Sequence, residues 1–406
     1  MLDIAKIRSE FPSLDRLVNG KPLIYLDNTA TSQTPDRVIE AVREMYVDHK
    51  ANVHRGVHTL SQEATEMQER TRRHLAKYLN AGSEKEIIFT RGTTEALNLV
   101  ASSLGKIIPE DSEIILTVME HHSNIVPWQL LQASNPGMKI RVVNINDRGE
   151  LDLDQYRSLF NEKTRIAAFC HVSNVLGTIN PVKEMTRIAH EHGAIAVIDG
   201  AQASPHLHID VKDLDCDFYA FSAHKMYGPS GIGVLYGKEK LLERMPPYQG
   251  GGEMISHVSF EGTTFADLPF KFEAGTPDFV GIAAFDEALN FLESTGLDAI
   301  EAHEEKLLRL ATDGLRDVAP GVRIFGEASH KSAVLSFLVG DEHPYDFGML
   351  LDGLGVAVRT GHHCAQPLME RLGIPGTVRA SFAVYNTEEE VGQFLKAVER
   401  VASMLG

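Results

Sequence analysis

Between residues 113 and 222 the chain returns four times to one pattern, a short apolar run followed by polar or helix-like sequence. The runs are Glu113–Val118, Arg165–Cys170, Ala194–Asp199 and Asp217–Ser222. Their hydrophobicity is continuous rather than alternating, as expected of strands buried on both faces of a mostly parallel sheet. Between the second and third runs, residues 181–190 carry a helical pattern that ends near Gly193, which reads as a crossover. The fold class implied is α/β.

A length of 406 residues exceeds one ordinary core, so a large and a smaller domain are expected. Charged residues at 23% and apolar ones at 43% are the balance of a soluble globular chain. No apolar run approaches the roughly 18 residues of a membrane-spanning helix, and the start, Met-Leu-Asp-Ile-Ala-Lys, lacks the features of a signal peptide. Three cysteines, at 170, 216 and 364, argue for a reducing compartment, and the expected location is cytoplasmic. With 39 Lys and Arg against 56 Asp and Glu, the net charge of −17 disfavours a nucleic-acid partner.

After about residue 240 the pattern changes. Pro246-Pro247, Gly250–Gly252 and irregular sequence to Pro277 read as a long functional excursion. A helix is expected from about Ile282, with Phe285, Leu289 and Leu292 on one face. The remainder reads as a smaller α+β domain with strands at Ala333–Val339 and Thr377–Phe382. Its last helix opens on the capping box Thr387-Glu-Glu-Glu390. The expected division is residues 16–290 as the large domain, carrying an excursion at about 250–277, with 1–15 and 291–406 as the small one.

Several residues have the character of a reactive site. Asp199 closes an apolar run, at the strand edge where open α/β sheets bind ligands. A carboxylate there can keep a pyridine nitrogen protonated, as pyridoxal phosphate chemistry requires, or it can simply cap a helix. Lys225 ends the next run, where desolvation would favour the neutral amine of a Schiff-base lysine, although an isolated lysine is ordinarily a surface residue. Ser222 and His224 could donate to a phosphate, and Gln202 lies three residues past Asp199. Arg91-Gly-Thr-Thr-Glu95 offers Gly92, Thr93 and Thr94 at a helix start, either an anion cup or an ordinary cap. His121 follows a strand and could stack on a planar ring, move protons, or ligate a metal together with His122, His362, His363 and Cys364. Cys364 could be an inert buried thiol, as Cys170 and Cys216 are expected to be. It is set apart by Arg359, His362 and His363, which would stabilise a thiolate. Arg379 is either a surface residue or a clamp for a substrate carboxylate.

Together these segments resemble the cysteine desulfurases of the class V aminotransferase family, specifically the Suf type (group II). The resemblance runs from Tyr25-Leu-Asp-Asn-Thr-Ala-Thr31 to Val378-Arg-Ala-Ser381. Its most specific pieces are His171–Gly177, Asp199-Gly-Ala-Gln202, Ser222-Ala-His-Lys225 and Arg359–Met369. It implies the PLP-dependent aminotransferase fold type I, a homodimer, and pyridoxal 5'-phosphate as cofactor. By that similarity Lys225 carries the cofactor, Asp199 partners its ring nitrogen, His121 stacks on the ring, and Asn174 and Gln202 lie near its ring oxygen. Thr94, Ser222 and His224 match phosphate ligands, and Thr276 a phosphate contact reaching from the partner subunit. Arg379, with Asn174, would hold the substrate carboxylate, and Cys364 would form the persulfide. The 250–277 excursion matches a hairpin that reaches over the partner. Thr29 and Ser123 stand where many relatives have Ala.

The implied reaction converts L-cysteine to L-alanine and leaves a persulfide on Cys364. The sulfur would pass to an acceptor protein of the Suf system, with iron–sulfur cluster assembly as the expected destination. Selenocysteine lyase is the neighbouring activity on this scaffold. A non-catalytic metal or sulfur carrier built on His362, His363 and Cys364 is a rival from another class. A dinucleotide oxidoreductase lacks its Gly-x-Gly-x-x-Gly after the early strands.

Overall fold

The computed structural model describes residues 2–405. Seven strands form the main sheet: β1 (Ile87–Thr90), β2 (Glu113–Thr117), β3 (Lys139–Val143), β4 (Thr164–Cys170), β5 (Ile195–Asp199), β6 (Phe218–Ser222) and β7 (Gly233–Gly237). Their spatial order is β1-β7-β6-β5-β4-β2-β3. Neighbours are parallel except β7, which runs antiparallel to both β1 and β6. All four expected strands are present. Of the three others, β3 is a half-polar edge, β1 is four residues long, and β7 opens and closes on glycine.

The unbroken hydrophobicity of the inner strands has a direct cause. Ala196 and Ile198 of β5 pack into the core on one face of the sheet, and Val197 packs into the core on the other. In β6, Tyr219 and Phe221 face the first core, Phe218 and Ala220 the second. Each fully buried large side chain of this kind stabilises by about 1.5–3 kcal/mol relative to exposure.

Helices α1 (Asp36–Val47), α2 (Thr59–Tyr78), α3 (Thr93–Leu104) and α4 (Val182–Glu191) precede the long α5 (Phe279–Thr295) and α6 (Leu297–Val318). Helix α5 begins three residues before the expected Ile282, because the Asp278 carboxylate accepts the Gly281 N–H at 2.9 Å and fixes the start there. The excursion holds a hairpin, β8 (Ile255–Ser259) and β9 (Gly262–Phe265), whose side chains are largely exposed. Its base returns to the sheet through Glu273, which pairs with the buried Arg72 at 2.7 Å and accepts the Phe89 N–H at 2.8 Å.

A second, antiparallel sheet is built from β10 (Val322–Phe325), β11 (Val334–Val339), β12 (Arg359–Gly361) and β13 (Thr377–Ser381), in the order β10-β11-β13-β12. Helix α7 (Glu388–Leu405) covers it together with α6 and places Val391, Phe394, Val398 and Val401 in its core. The capping box forms: the Glu390 carboxylate accepts the Thr387 N–H, and the Thr387 hydroxyl accepts the Glu390 N–H.

The expected division after residue 15 is crossed in both directions. Ile7, Phe11 and Leu14 join the core of the large sheet, while Ile24–Tyr25 pairs in parallel with Val356–Ala357 beside the small one. The N-terminal segment is therefore a seam, since Arg8 also pairs with Glu390 of α7 at 2.9 Å.

One close approach ties the fold to the site. Gly233 at the start of β7 lies opposite both Thr90 and Ser222. A Cβ there would sit 2.3 Å from the Cα of Gly92, just before α3. Gly233→Ala should cost about 1–3 kcal/mol, the usual range for forced overpacking. A denaturant midpoint equal to wild type would show that the turn relaxes without strain.

Candidate active site

The carboxyl ends of β4, β5 and β6 open into a cavity of about 240 Å³. Strand register sets its floor. Cys170 of β4 lies beside Asp199 of β5, which lies beside Ala220 of β6. Asp199 is 5% exposed, and its carboxylate accepts the Ala201 N–H at 3.0 Å. Burial pushes its carboxyl upward, and nearby Lys225 pulls it back. Such a carboxylate is short of a cationic partner, which a protonated ring nitrogen would supply.

Lys225 lies in a single helical turn, Ala223–Lys225, directly after β6. Burial lowers its ammonium to about 8, against the pull of Asp199. At the same end, the Ser222 hydroxyl accepts the Thr93 N–H at 2.8 Å and lies 2.7 Å from the Thr93 hydroxyl. Helix α3 starts from Gly92 at φ 153°, which has no side chain to cap it; Ser222 takes the Thr93 N–H, and the next N–H groups, of Thr94 and Glu95, have no side-chain partner. Gly92, not a threonine, is thus the cap residue. His224 adds an imidazole 3.1 Å from the Thr31 hydroxyl, held neutral by burial with its pKa lowered to about 4.

His121 is held by its neighbour but one. Its Nδ1 accepts the Ser123 N–H at 3.1 Å and lies 2.8 Å from the Ser123 hydroxyl. Nδ1 is therefore the acceptor and Nε2 carries the proton. Burial first, then Lys225, lowers its pKa to about 3. At neutral pH it offers a neutral Nε2–H, not an imidazolium. The Ser123 hydroxyl contributes a contact that alanine at this position would lack.

The opposite wall comes from the small sheet. Arg379 of β13 is 2% exposed; its Nη1 donates to the Asn174 carbonyl at 2.9 Å and its Nη2 to the Asp27 carboxylate at 3.3 Å. Its Nε has no partner. Asn174 in turn donates to the His363 carbonyl at 2.7 Å, and Gln202 to the Thr29 carbonyl at 2.8 Å. Cys364 is partly exposed in the same cavity, at φ 55°, following His363 at φ 52°. Its carbonyl accepts the His122 N–H at 2.7 Å, and its own N–H donates to His362 Nδ1 at 3.1 Å.

The structure brings together Thr94, His121, Asn174, Asp199, Gln202, Ser222, His224, Lys225, Cys364 and Arg379. Thr276 lies apart from this cavity, its hydroxyl 3.3 Å from the Asn52 side chain. The histidine directly before Cys364 differs from expectation. His363 turns its Nε2 to the Thr377 hydroxyl at 2.8 Å, and burial lowers its pKa to about 2, so it brings no positive charge to the thiol. The cations facing Cys364 are Arg359, Arg379 and Lys225. Among the described residues no three His, Cys, Asp or Glu side chains converge as a metal set. Sequence reasoning missed Asp27, whose only signal was a carboxylate just past the short apolar run Ile24-Tyr-Leu26. It also missed Glu120, fully buried and raised to about 7 by burial, which accepts the Cys170 N–H at 3.1 Å behind Asp199.

Fold and site together define a class. Residues 24–394 match the family model described as aminotransferase class-V, and the chain belongs to that family. It is similar over its whole length to proteins named cysteine desulfurase. That of Dickeya dadantii (strain 3937) is 49% identical over 406 residues, covering 99% of this chain and 98% of the relative. A cysteine desulfurase of Thermococcus onnurineus, in its apo form, matches with a TM-score of 0.94 at 42% identity, covering 100% of this chain and 99% of that one. The cysteine desulfurase CsdA of Escherichia coli, in an S-sulfonic acid form, matches with a TM-score of 0.92 at 39% identity and the same coverage. The fold is that of the type I PLP-dependent aminotransferases.

The donor set fits pyridoxal 5'-phosphate. A buried carboxylate lacking a cationic hydrogen-bond partner, a lysine with a lowered pKa and an uncapped helix start beside hydroxyls line one cavity.

The three thiols should differ sharply in reactivity. Burial pushes the Cys170 and Cys216 thiols far up, whereas Cys364 is accessible. Iodoacetamide on the native protein should therefore label Cys364 alone, and Cys364→Ser should remove the label. Labelling of Cys170 at a comparable rate would contradict the packing described.

Proposed function

We propose that this protein is a PLP-dependent cysteine desulfurase of the Suf type (group II), converting L-cysteine to L-alanine and storing the sulfur as a persulfide on Cys364. The observation that carries this reading is the placement of Cys364 in the same small cavity as Lys225, Asp199 and Arg379. Bound through Lys225, the cofactor supplies an electron sink that makes the Cα–H of an attached amino acid acidic.

The chain's own groups do the rest. Lys225, Asp199, Gln202 and His121 hold the ring end, while Thr94, Ser222, His224 and the start of α3 hold the phosphate. Asp199 keeps the ring nitrogen protonated, and that cation relieves the cost of burying its carboxylate. Arg379 and Asn174 orient the substrate carboxylate. The neutral amine of Lys225 would take the Cα proton as a general base. The Cys364 thiolate attacks the substrate sulfur; the Cβ–S bond breaks with its electron pair going to carbon, Cβ is protonated, and Lys225 returns a proton to Cα to give alanine. His121 takes part as a hydrogen-bond donor through Nε2–H.

In this reading the enzyme is a homodimer. The exposed hairpin, with Val258, Phe260 and Phe265 open to solvent, covers the partner, and Thr276 serves the partner's phosphate site. An acceptor protein of the Suf system collects the sulfur for iron–sulfur cluster assembly in the cytoplasm. Selenocysteine lyase activity is a side or alternative reaction, since selenium leaves Cβ more readily than sulfur.

Alanine formation from L-cysteine with a thiol reductant should fall by roughly 10³-fold or more in Cys364→Ser, with the cofactor's visible absorbance retained. Equal alanine yield from both proteins would refute the role of Cys364, and colourless wild-type protein would refute the reading at its root. Cofactor capture by the cofactor-free protein should follow the neutral amine of Lys225. Its ammonium is lowered to about 8, so capture should speed up with rising pH below that value and level off above it. A capture rate independent of pH would show that the lysine is already neutral.

A further inference from the structure

The loop that carries Cys364 runs from β12 into a short helix, Gln366–Leu372, and its far end is anchored by apolar packing. Ala365, Leu368 and Met369 are buried with Val118, Met119, Val175 and Leu176. Cys364 itself has no such anchor. It and His363 lie in the left-handed backbone region, at φ 55° and 52°, which L residues rarely adopt. The direction of the thiol therefore depends on what the neighbouring peptide groups bond to.

Ala365 is the N-cap of the short helix and offers no side-chain acceptor, so the Gln366 N–H has no partner within the loop. His122 answers it from the segment after β2. Its Nε2 accepts the Gln366 N–H at 3.2 Å, and its own N–H donates to the Cys364 carbonyl at 2.7 Å. Both peptide groups flanking Ala365 are thereby tied to one residue beyond the main sheet. On the near side, His362 Nδ1 accepts the Cys364 N–H at 3.1 Å, and the two imidazole centroids lie 5.7 Å apart. An imidazole accepts at Nε2 only when neutral. Burial first, then His362, lowers the His122 pKa, so the accepting form is the one present at neutral pH.

We propose that His122 is a positioning residue: by tying both peptide groups beside Ala365, it holds the Cys364 thiol toward Lys225 and the substrate sulfur. The proposal rests on the reading of Cys364 as the thiol that takes the sulfur. His122 is outside the cavity lining and acts through the loop alone.

The test uses cofactor-loaded enzyme and separates two events. The change in visible absorbance on adding L-alanine reads amino-acid binding, which needs no thiol. Alanine formed in the first turnover with L-cysteine reads the step that needs Cys364. His122→Phe keeps a ring but removes the acceptor. It should slow that turnover by about tenfold or more, since small misplacements of reacting atoms are costly, and leave L-alanine affinity within about twofold. His122→Gln, whose amide oxygen reaches as far as Nε2, should restore the rate; the shorter His122→Asn should not. Hydrogen exchange reads the loop directly. The Gln366 amide should exchange several-fold faster in His122→Phe and His122→Asn than in wild type or His122→Gln. A wild-type first turnover or unchanged Gln366 exchange in His122→Phe overturns the proposal, as does an L-alanine affinity that falls in parallel with the rate. If His122→Phe does not fold, the amide pair decides, because equal rates in His122→Gln and His122→Asn leave no role for the acceptor. Wild-type enzyme that responds to L-alanine but makes none from L-cysteine would instead overturn the reading of Cys364, and the exchange result would stand apart from it.

Discussion

The buried guanidinium of Arg379 is the contact on which the functional architecture depends. It belongs to the small sheet, yet its donors reach the Asn174 carbonyl beyond β4 and the Asp27 carboxylate on the N-terminal segment. Burying a charge of this kind is costly unless each partner is in place. Both sheets and the N-terminal segment must therefore be assembled before the group is satisfied. Burial lowers even this strong base to about 10 and leaves Nε without an acceptor.

The same logic runs across the cavity. Asp199 is raised by burial, Lys225 is lowered by it, and His121 is held neutral, so groups that would titrate far apart in water are brought toward neutral forms in one small space. The sheet provides this environment. Its central strands are covered on both faces, and the loops leaving their carboxyl ends close over the polar groups at their tips. The glycines at 92 and 233 allow α3 to approach close enough to put its first turn into the cavity.

Much of this was legible in the sequence because buried parallel strands announce themselves. The runs ending in Cys170, Asp199 and Ser222 located the sheet edge, and with it Asp199 and Lys225. The capping box at Thr387 and the apolar period after it located α7. Less was legible where the determinant lies outside the local segment. Strands β1, β3 and β7 are defined by their place in the sheet more than by their composition. His363 looked like a thiolate partner because it adjoins Cys364 in sequence, but its left-handed backbone and the Thr377 hydroxyl turn it away. Cys170 was read as an inert buried thiol, and burial does raise it, yet it also lines the cavity between Glu120 and Asp199. Asp27 carries no sign of its importance until β12 and β13 set two arginines against each other.

If Cys364 carries the persulfide of the proposed reaction, the backbone around it bears on how sulfur would leave. Two successive residues in the left-handed region, an amide tied to His362, a carbonyl tied to His122, and the Gln366 N–H resting on His122 Nε2 at 3.2 Å fix the thiol on a short pedestal. A swinging arm could carry its cargo outward to a distant recipient. A pedestal cannot, so the recipient has to bring its own nucleophile to the rim of the cavity. On the proposed reading, delivery would then depend on how often and how well an acceptor docks, and throughput would be a property of the pair.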